Sequence, residues 1–541
     1  MSYIVKLETK RVQTYLFGIP ELKCMVGANT ILGEVLRGKL DGGGNTHSLA
    51  GLAIAHGSCL PDGAVAKNAP ALKSTDSNDP LHKSCSPDNP KLAWSNGILA
   101  RDGGHFIAVF PDLDKAKSFV ADVSGLMASR LPGLGYEVRL SELSRNANNQ
   151  WVEGEDLADV SSGSLGKAAV DFPQSQTCDV AKQGIATTVT HDGDHLSLDV
   201  KQRREAADRF NNNESYDVLG LIKSSVGAIR FPADFSKMAR SGYLAVIVAD
   251  GNGMGARIPT SSQFPDFFGR QQEIEHYFYG HRFQMRMAVR DCLSDILKSH
   301  QQDQTSGIPI RPMMLGGDDL VLACDAPKAF DLVKDLCRRV GAADRNSGKK
   351  FSLGVGIAIV KASFPFHRAH ALAEQLAASA KVKWRVWFGQ NANNPLSVVD
   401  WLVTSEAWHD DLEATRVRDA VKVVEVNGTP ERLILSRRPY FVESAPKVQN
   451  DPNSLTGLLS IRNNLLSSKV ARSQIMHLCD TLPLGKRQGI EAVRDLPEPV
   501  RSALAPVLCG SSPWDAHGTT GLLDLLDIHE ILKLDPRNVS P

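Results

Sequence analysis

Three acids in two glycine-rich settings carry the clearest chemistry in this chain. Gly316-Gly317-Asp318-Asp319 lies between the apolar runs Pro312–Leu315 and Leu320–Cys324. Two β-favouring stretches joined through glycines predict a hairpin with paired carboxylates at its tip. Taken alone, the tetrapeptide also fits an ordinary turn with solvated acids. Asp250 adds weight to the chemical reading, because it closes the run Tyr243–Ala249, apolar at every position, which predicts a strand buried on both faces. Carboxylates brought together from two strands repel one another unless a divalent cation neutralises them, and Mg²⁺ favours one or two carboxylates plus substrate phosphates. Asp250, Asp318 and Asp319 are therefore candidate ligands for Mg²⁺ or Mn²⁺, and the implied chemistry is that of phosphates. Gly251-Asn252-Gly253-Met254-Gly255 follows Asp250. It reads either as a β-turn or as a nest of backbone amides for an anion.

These residues need elements to position them. Met285, Val289, Cys292, Leu293, Ile296 and Leu297 recur at helical spacing between the strand and the hairpin. A second helical pattern (Phe330, Val333, Leu336, Cys337, Val340) leads to a strand from Phe351 to Val360. A third (Leu372, Ala373, Leu376, Ala380) ends at Lys381 and Lys383. Lys381 is either a cation complementing the negative end of its helix or a phosphate contact. The same order is announced earlier in the chain. Gly103–Ala116 lies over Gly316–Ala329 without a gap and matches at Gly103/Gly316, Gly104/Gly317, Asp112/Asp325, Lys115/Lys328 and Ala116/Ala329. A paired glycine turn in one register favours duplication over chance likeness of amphipathic helices. His105 and Phe106 replace the two acids, so the first copy is expected to be structural or, at most, to bind a second nucleotide.

Val248–Gly255, the Gly-Gly-Asp-Asp hairpin and Leu353–Ala369 through Lys381 resemble the second palm domain of the type III CRISPR polymerase/cyclase large subunit. That family is similar to GGDEF diguanylate cyclases and class III nucleotidyl cyclases. Tyr3–Leu7, Val12–Phe17 and Ala28–Leu32 resemble its first palm. The resemblance implies an α+β chain with two ferredoxin-like (βαββαβ) palm domains, the first degenerate, followed by a C-terminal α-helical domain. It implies ATP as substrate and a cyclic oligoadenylate as product in antiviral defence. It also implies Asp250, Asp318 and Asp319 as catalytic and metal-binding residues, with Gly251, Asn252, Gly253, Gly255, Gly316, Gly317 and Lys381 binding the nucleotide. CRISPR RNA and other effector subunits become candidate partners; double-stranded DNA does not. A catalytically silent scaffold subunit and a cyclase making a cyclic dinucleotide or mononucleotide remain the alternatives. His276, Tyr277 and Tyr279 either pack or line a base pocket.

Two departures from the family narrow the expectation. Cys178-Asp179-Val180-Ala181 resembles a zinc knuckle with alanine where its second cysteine belongs, and one thiol does not make a tetrahedral site, so no zinc is expected. The chain opens on a palm strand, so no HD nuclease domain and no DNase activity are expected. The pairs His191-Asp192 and His409-Asp410 are read as surface pairs.

Composition agrees. The 541 residues predict roughly three or four domains of ~100–200 residues each. With 61 basic and 61 acidic residues the chain has no global attraction to nucleic acid. No apolar run approaches the roughly 20 residues that span a bilayer. Nine scattered cysteines, an odd number, fit a reducing cytoplasm. Expected boundaries are a first palm at 1–142 with an insertion at 61–96, a connector at 143–236, a second palm at 237–405 and a helical domain at 406–541.

Overall fold

The computed structural model describes residues 1–38, 46–67, 90–160, 175–214, 217–227, 229–255, 258, 260, 262–299, 307–316, 319–342, 350–389, 395–405, 411–444, 453–467 and 471–535. The chain divides into two units. The first comprises residues 1–234, 254–308 and 312–320; the second comprises 235–253, 309–311 and 321–541.

The chain begins with β1 (Ser2–Lys10), α1 (Val12–Phe17), α2 (Leu22–Arg37), α3 (Leu49–Ala55), α4 (Pro90–Ser95), β2 (Ile98–Asp102), β3 (His105–Phe110), α5 (Leu113–Arg130), β4 (Gly135–Arg145) and β5 (Trp151–Val160). These strands form one sheet in the order β2-β3-β1-β4-β5, each pair antiparallel. Ile4, Val5 and Leu7 of β1 are buried, as are Phe106, Val109 and Phe110 of β3. Asp112 caps α5, its carboxylate accepting from the Lys115 amide at 2.9 Å. A small pair of strands, β6 (Ala186–Val189) and β7 (His195–Ser197), leads into α6 (Leu198–Asn211) and α7 (Val218–Val226).

The rest of the chain runs α8 (Phe235–Met238), β8 (Tyr243–Gly251), α9 (Phe267–Ser299), β9 (Ile310–Leu315), β10 (Leu320–Asp325), α10 (Ala329–Ala342), β11 (Leu353–Lys361), α11 (Phe366–Phe388), β12 (Val398–Val403), α12 (Leu412–Ala420), β13 (Val421–Val426), β14 (Thr429–Ile434) and β15 (Tyr440–Phe441). Five helices close it: α13 (Leu455–Ser467), α14 (Arg472–Thr481), α15 (Lys486–Arg494), α16 (Glu498–Leu504) and α17 (Leu522–Lys533). The second sheet has the order β15-β12-β11-β8-β10-β9. Its strands β9-β10-β8-β11 repeat the order of β2-β3-β1-β4, so the glycine register found in the sequence corresponds to one strand-helix-strand-strand-helix-strand unit used twice. Nearly every residue of β8, β10 and β11 is buried, which explains why these segments read as unbroken apolar runs.

Two boundaries and the make-up of the C-terminal segment differ from expectation. β4 runs through residue 142, and β5 extends the first sheet where a connector was expected at 143. β5 is an edge strand with Glu155, Asp156 and Leu157 exposed, and a strand with one wet face carries the polar composition of a linker. The second sheet does not stop at 405, because β15 pairs with β12 through Val399 and Tyr440. The C-terminal segment also contains the β13–β14 hairpin beside its helices. Most of the 61–96 insertion, together with Gly317, Asp318 and His409-Asp410, lies outside the described residues. No described helix is long and apolar enough to cross a membrane.

Candidate nucleotide site

In the second unit the site is built on β8, β11 and α11. Asp250 lies opposite Gly354 in the antiparallel β8–β11 pair. Two glycines on one face of β11 bring α11 down onto the sheet. A Cβ at Gly356 would fall 2.0 Å from the Ala373 carbonyl oxygen and 2.5 Å from the Ala377 amide nitrogen. A Cβ at Gly354 would fall 2.6 Å from Cγ of Lys381 and 3.1 Å from Oδ1 of Asn252. The lysine stem therefore passes over Gly354, and its ammonium forms an ion pair with Oδ2 of Asp250. Lys381 and Asp250 keep 21% and 30% of their side-chain surface exposed, enough for a ligand to reach both. The turn beyond Asp250 is supported from below. The buried Asn252 donates its backbone N–H to the Ser352 carbonyl at 2.9 Å and its amide to the Ser352 hydroxyl at 3.2 Å. Trp384 of α11 lies against Gly253.

In the first unit, the Gly316 amide donates to the Asp319 carbonyl at 2.8 Å and closes the tip of the acidic hairpin. A cavity of about 400 Å³ opens there, within the size range of small-molecule sites. Its wall includes both glycine turns of the repeat, Gly103-Gly104 and Gly316 with Asp319, together with Arg37 and Asp102. Asp102 anchors the acid-free turn. Its Oδ1 accepts the Gly103 N–H at 3.0 Å, while its Oδ2 receives Arg37 at 3.2 Å, Arg282 at 3.2 Å and Arg286 at 2.7 Å. Burial raises the Asp102 carboxyl, but the guanidiniums of Arg37 and Arg282 outweigh it and hold the group below the usual carboxylate range. Glu275, buried and paired with Arg282, is pushed up by desolvation.

Among the sequence-predicted residues, Asp250, Gly251, Asn252, Gly253 and Lys381 lie in the second unit. Gly255, Gly316 and Asp319 lie in the first. His276, Tyr277 and Tyr279 are on α9, and none of the three lines the cavity. Burial lowers the His276 pKa and raises that of Tyr279, and Tyr277 donates to the Met254 sulfur at 3.4 Å. His191 and Asp192 are fully exposed, a surface pair. Sequence reasoning passed over Gly354, Gly356, Ser352, Trp384, Asp102 and Arg37 as site builders. The Gly-Val-Gly alternation at 354–356 was a usable signal, because alternate residues of a strand share a face.

Among the described residues no three His, Cys, Asp or Glu side chains converge as a metal site. A half-exposed Asp250 nevertheless fits Mg²⁺ or Mn²⁺, since such ions take few protein carboxylates and complete their shell with phosphate oxygens and water. Cys178 has a different setting. It is fully buried with Ile19, Cys24, Leu196 and Val200, and Ala181 packs against that apolar cluster. Burial opposes thiolate formation at Cys178, but the backbone amides of Ala181 and Ser197 lower its pKa overall.

Comparison with known proteins adds the following. Residues 243–385 match the family model "Cas10/Cmr2, second palm domain". Curated proteins give no match. Among solved structures, a Csm1-Csm4 cassette in complex with AMPPNP is similar at 11% identity and a TM-score of 0.37, covering 98% of this chain and 70% of that one. The cassette in complex with cA4 aligns at 12% identity and a TM-score of 0.36, with 98% and 70% covered. The Csm1-Csm4 subcomplex of the type III-A CRISPR-Csm interference complex aligns at 12% and 0.35, with the same coverage. Residues 243–385, the stretch of sequence that carries Asp250, Gly316-Gly317-Asp318-Asp319 and Lys381, are thus similar to the second palm domain of the Cas10/Cmr2 family.

Proposed function

We propose that this chain is a metal-dependent nucleotidyltransferase that joins ATP into a cyclic oligoadenylate in type III CRISPR defence, working with guide RNA and other effector subunits. The observation that carries the reading is the cavity whose wall holds both glycine turns, one with an acid and one without. The family match of residues 243–385 supports it. In this reading the two repeats are ferredoxin-like palms and the C-terminal helices a separate domain.

Asp250, Asp318 and Asp319 would hold the divalent ions. When bound, the metals lower the pKa of the attacking ribose hydroxyl and polarise the α-phosphoryl group. The protein's own groups do the rest. Gly251 and Gly253 keep side chains out of the way of phosphate oxygens at this turn, and Lys381 neutralises the β- and γ-phosphates. Gly103-Gly104, with no side chains of their own, would leave room for a nucleotide in the cavity of the first unit. The first palm contributes surface and no metal ligand, since Phe106, at the register of Asp319, is fully buried in its core.

The test is incubation of the purified protein with each nucleoside triphosphate and Mg²⁺ or Mn²⁺, with and without RNA, and mass spectrometry of the products. Cyclic oligoadenylates from ATP are expected, and Asp318→Ala with Asp319→Ala is expected to abolish them while the melting curve is retained. Pyrophosphate release from ATP at the wild-type rate by that double variant refutes the assignment.

A further inference from the structure

The Lys381–Asp250 ion pair has a consequence for how the site is loaded. Asp250 is the acid assigned to a divalent cation, yet its Oδ2 already carries a cation supplied by the chain. This contact is built rather than incidental. Gly356 seats α11 on β11, Gly354 leaves the gap through which the lysine stem passes, and Gly354 is the direct cross-strand neighbour of Asp250. Asn252 flanks the same gap, and its buried Oδ1 has no hydrogen-bond partner. Lys383, two residues on, is directed elsewhere: its ammonium donates to the Pro439 carbonyl and lies over the Phe441 ring. A lysine and a divalent ion cannot both saturate one carboxylate oxygen.

We propose that Lys381 is the built-in counter-ion of Asp250, holding the carboxylate until a divalent cation replaces it, so that metal entry and release of the ammonium toward the nucleotide's phosphates are one exchange. This rests on the reading of Asp250 as a metal ligand. The exchange makes metal and triphosphate bind cooperatively, because the cation displaced by one becomes a contact for the other.

The pair lowers apparent metal affinity by the fraction of time the carboxylate is taken. For a partly exposed ion pair that amounts to about two- to fivefold. The test is an electron paramagnetic resonance titration of Mn²⁺ on the full chain without nucleotide. Lys381→Met is expected to tighten Mn²⁺ binding about two- to fivefold, and Asp250→Asn to abolish it. Gly354→Ala pushes the lysine stem aside without removing its charge, and is expected to tighten binding in the same sense. Should Lys381→Met fail to fold by circular dichroism, Gly354→Ala carries the test. Equal or weaker Mn²⁺ binding by the folded lysine variant, with the wild type binding and Asp250→Asn not, overturns the exchange and leaves the enzymatic reading standing. No Mn²⁺ binding by any variant, with or without ATP, overturns both.

Discussion

Gly356→Ala tests whether the seat of α11 sets the site. The added methyl would lie 2.0 Å from the Ala373 oxygen, and ordinary contact begins at 3.4 Å, so about 1.4 Å must be found. Both nearest atoms, the Ala373 oxygen and the Ala377 nitrogen, are backbone, so no rotamer change relieves the clash and the helix itself must lift. Overpacking of this kind costs about 1–3 kcal/mol. Replacing glycine stiffens the unfolded chain and returns about 0.4–1 kcal/mol, so the cost wins. A net loss of about 1–2 kcal/mol lowers the melting temperature of a unit this size by about 2–8 °C. Lys381 lies two turns further along the same helix and moves with it, away from Asp250. A misplacement of about 1 Å in a positioning group costs up to about a hundredfold in rate. The assay pairs a thermal melt with pyrophosphate release from ATP. An unchanged melting temperature together with turnover within about twofold of wild type refutes the argument.

Two further substitutions follow from buried charge. Asp102→Asn keeps the shape of the side chain but leaves Arg37, Arg282 and Arg286 without their shared carboxylate, and is expected to destabilise by about 3–5 kcal/mol in a denaturant titration; a loss below about 1 kcal/mol contradicts the node. His370 of α11 is buried against Phe366, and desolvation lowers its pKa from 6.5 to about 4. Between those values the unfolded chain binds a proton that the folded chain refuses, so stability present above pH 6.5 is lost as pH falls toward 4. The difference amounts to about 3 kcal/mol, and His370→Phe is expected to lose that much less than wild type between pH 7 and 4. Parallel pH profiles for the two proteins refute it.

What the sequence revealed and what it hid divide along physical lines. β8, the β9–β10 hairpin and the helix ending at Lys381 were legible because their burial leaves long apolar runs and regular helical spacing. The duplication was legible because glycine turns tolerate little substitution for steric reasons, so their register survives. Contacts made across sequence distance were not. Asp102 meets Arg37 from 65 residues away and Arg286 from 184, and Lys381 reaches Asp250 from 131. No local pattern marks a charge whose partners lie on other elements. Edge strands failed for another reason: β5 and the β13–β14 pair expose one or both faces, so their composition resembles a loop.

The acid-free repeat differs from the acidic one at the two positions that carry Asp318 and Asp319. In the repeat register His105 stands where Asp318 stands and Phe106 where Asp319 stands. Phe106 is fully buried, its ring 6.0 Å from that of Phe119, which in turn lies 5.1 Å from Phe110. His105 is exposed and faces Glu8 across the β1–β3 pair. The two positions therefore answer differently to restoration of an acid. Phe106→Asp removes a core ring, worth about 3–5 kcal/mol, and buries a carboxylate with no partner at further cost. His105→Asp places a carboxylate beside Glu8 at the surface and costs less than about 1 kcal/mol. The first unit is thus expected to unfold in the Phe106 variant and to persist in the His105 variant, read by thermal melts. If Phe106→Asp melts like wild type, the first sheet has room for an acid at this position and lacks it by one side chain. If it unfolds, the ring is part of the core that holds Gly103 and Gly104 in place, and the position serves packing.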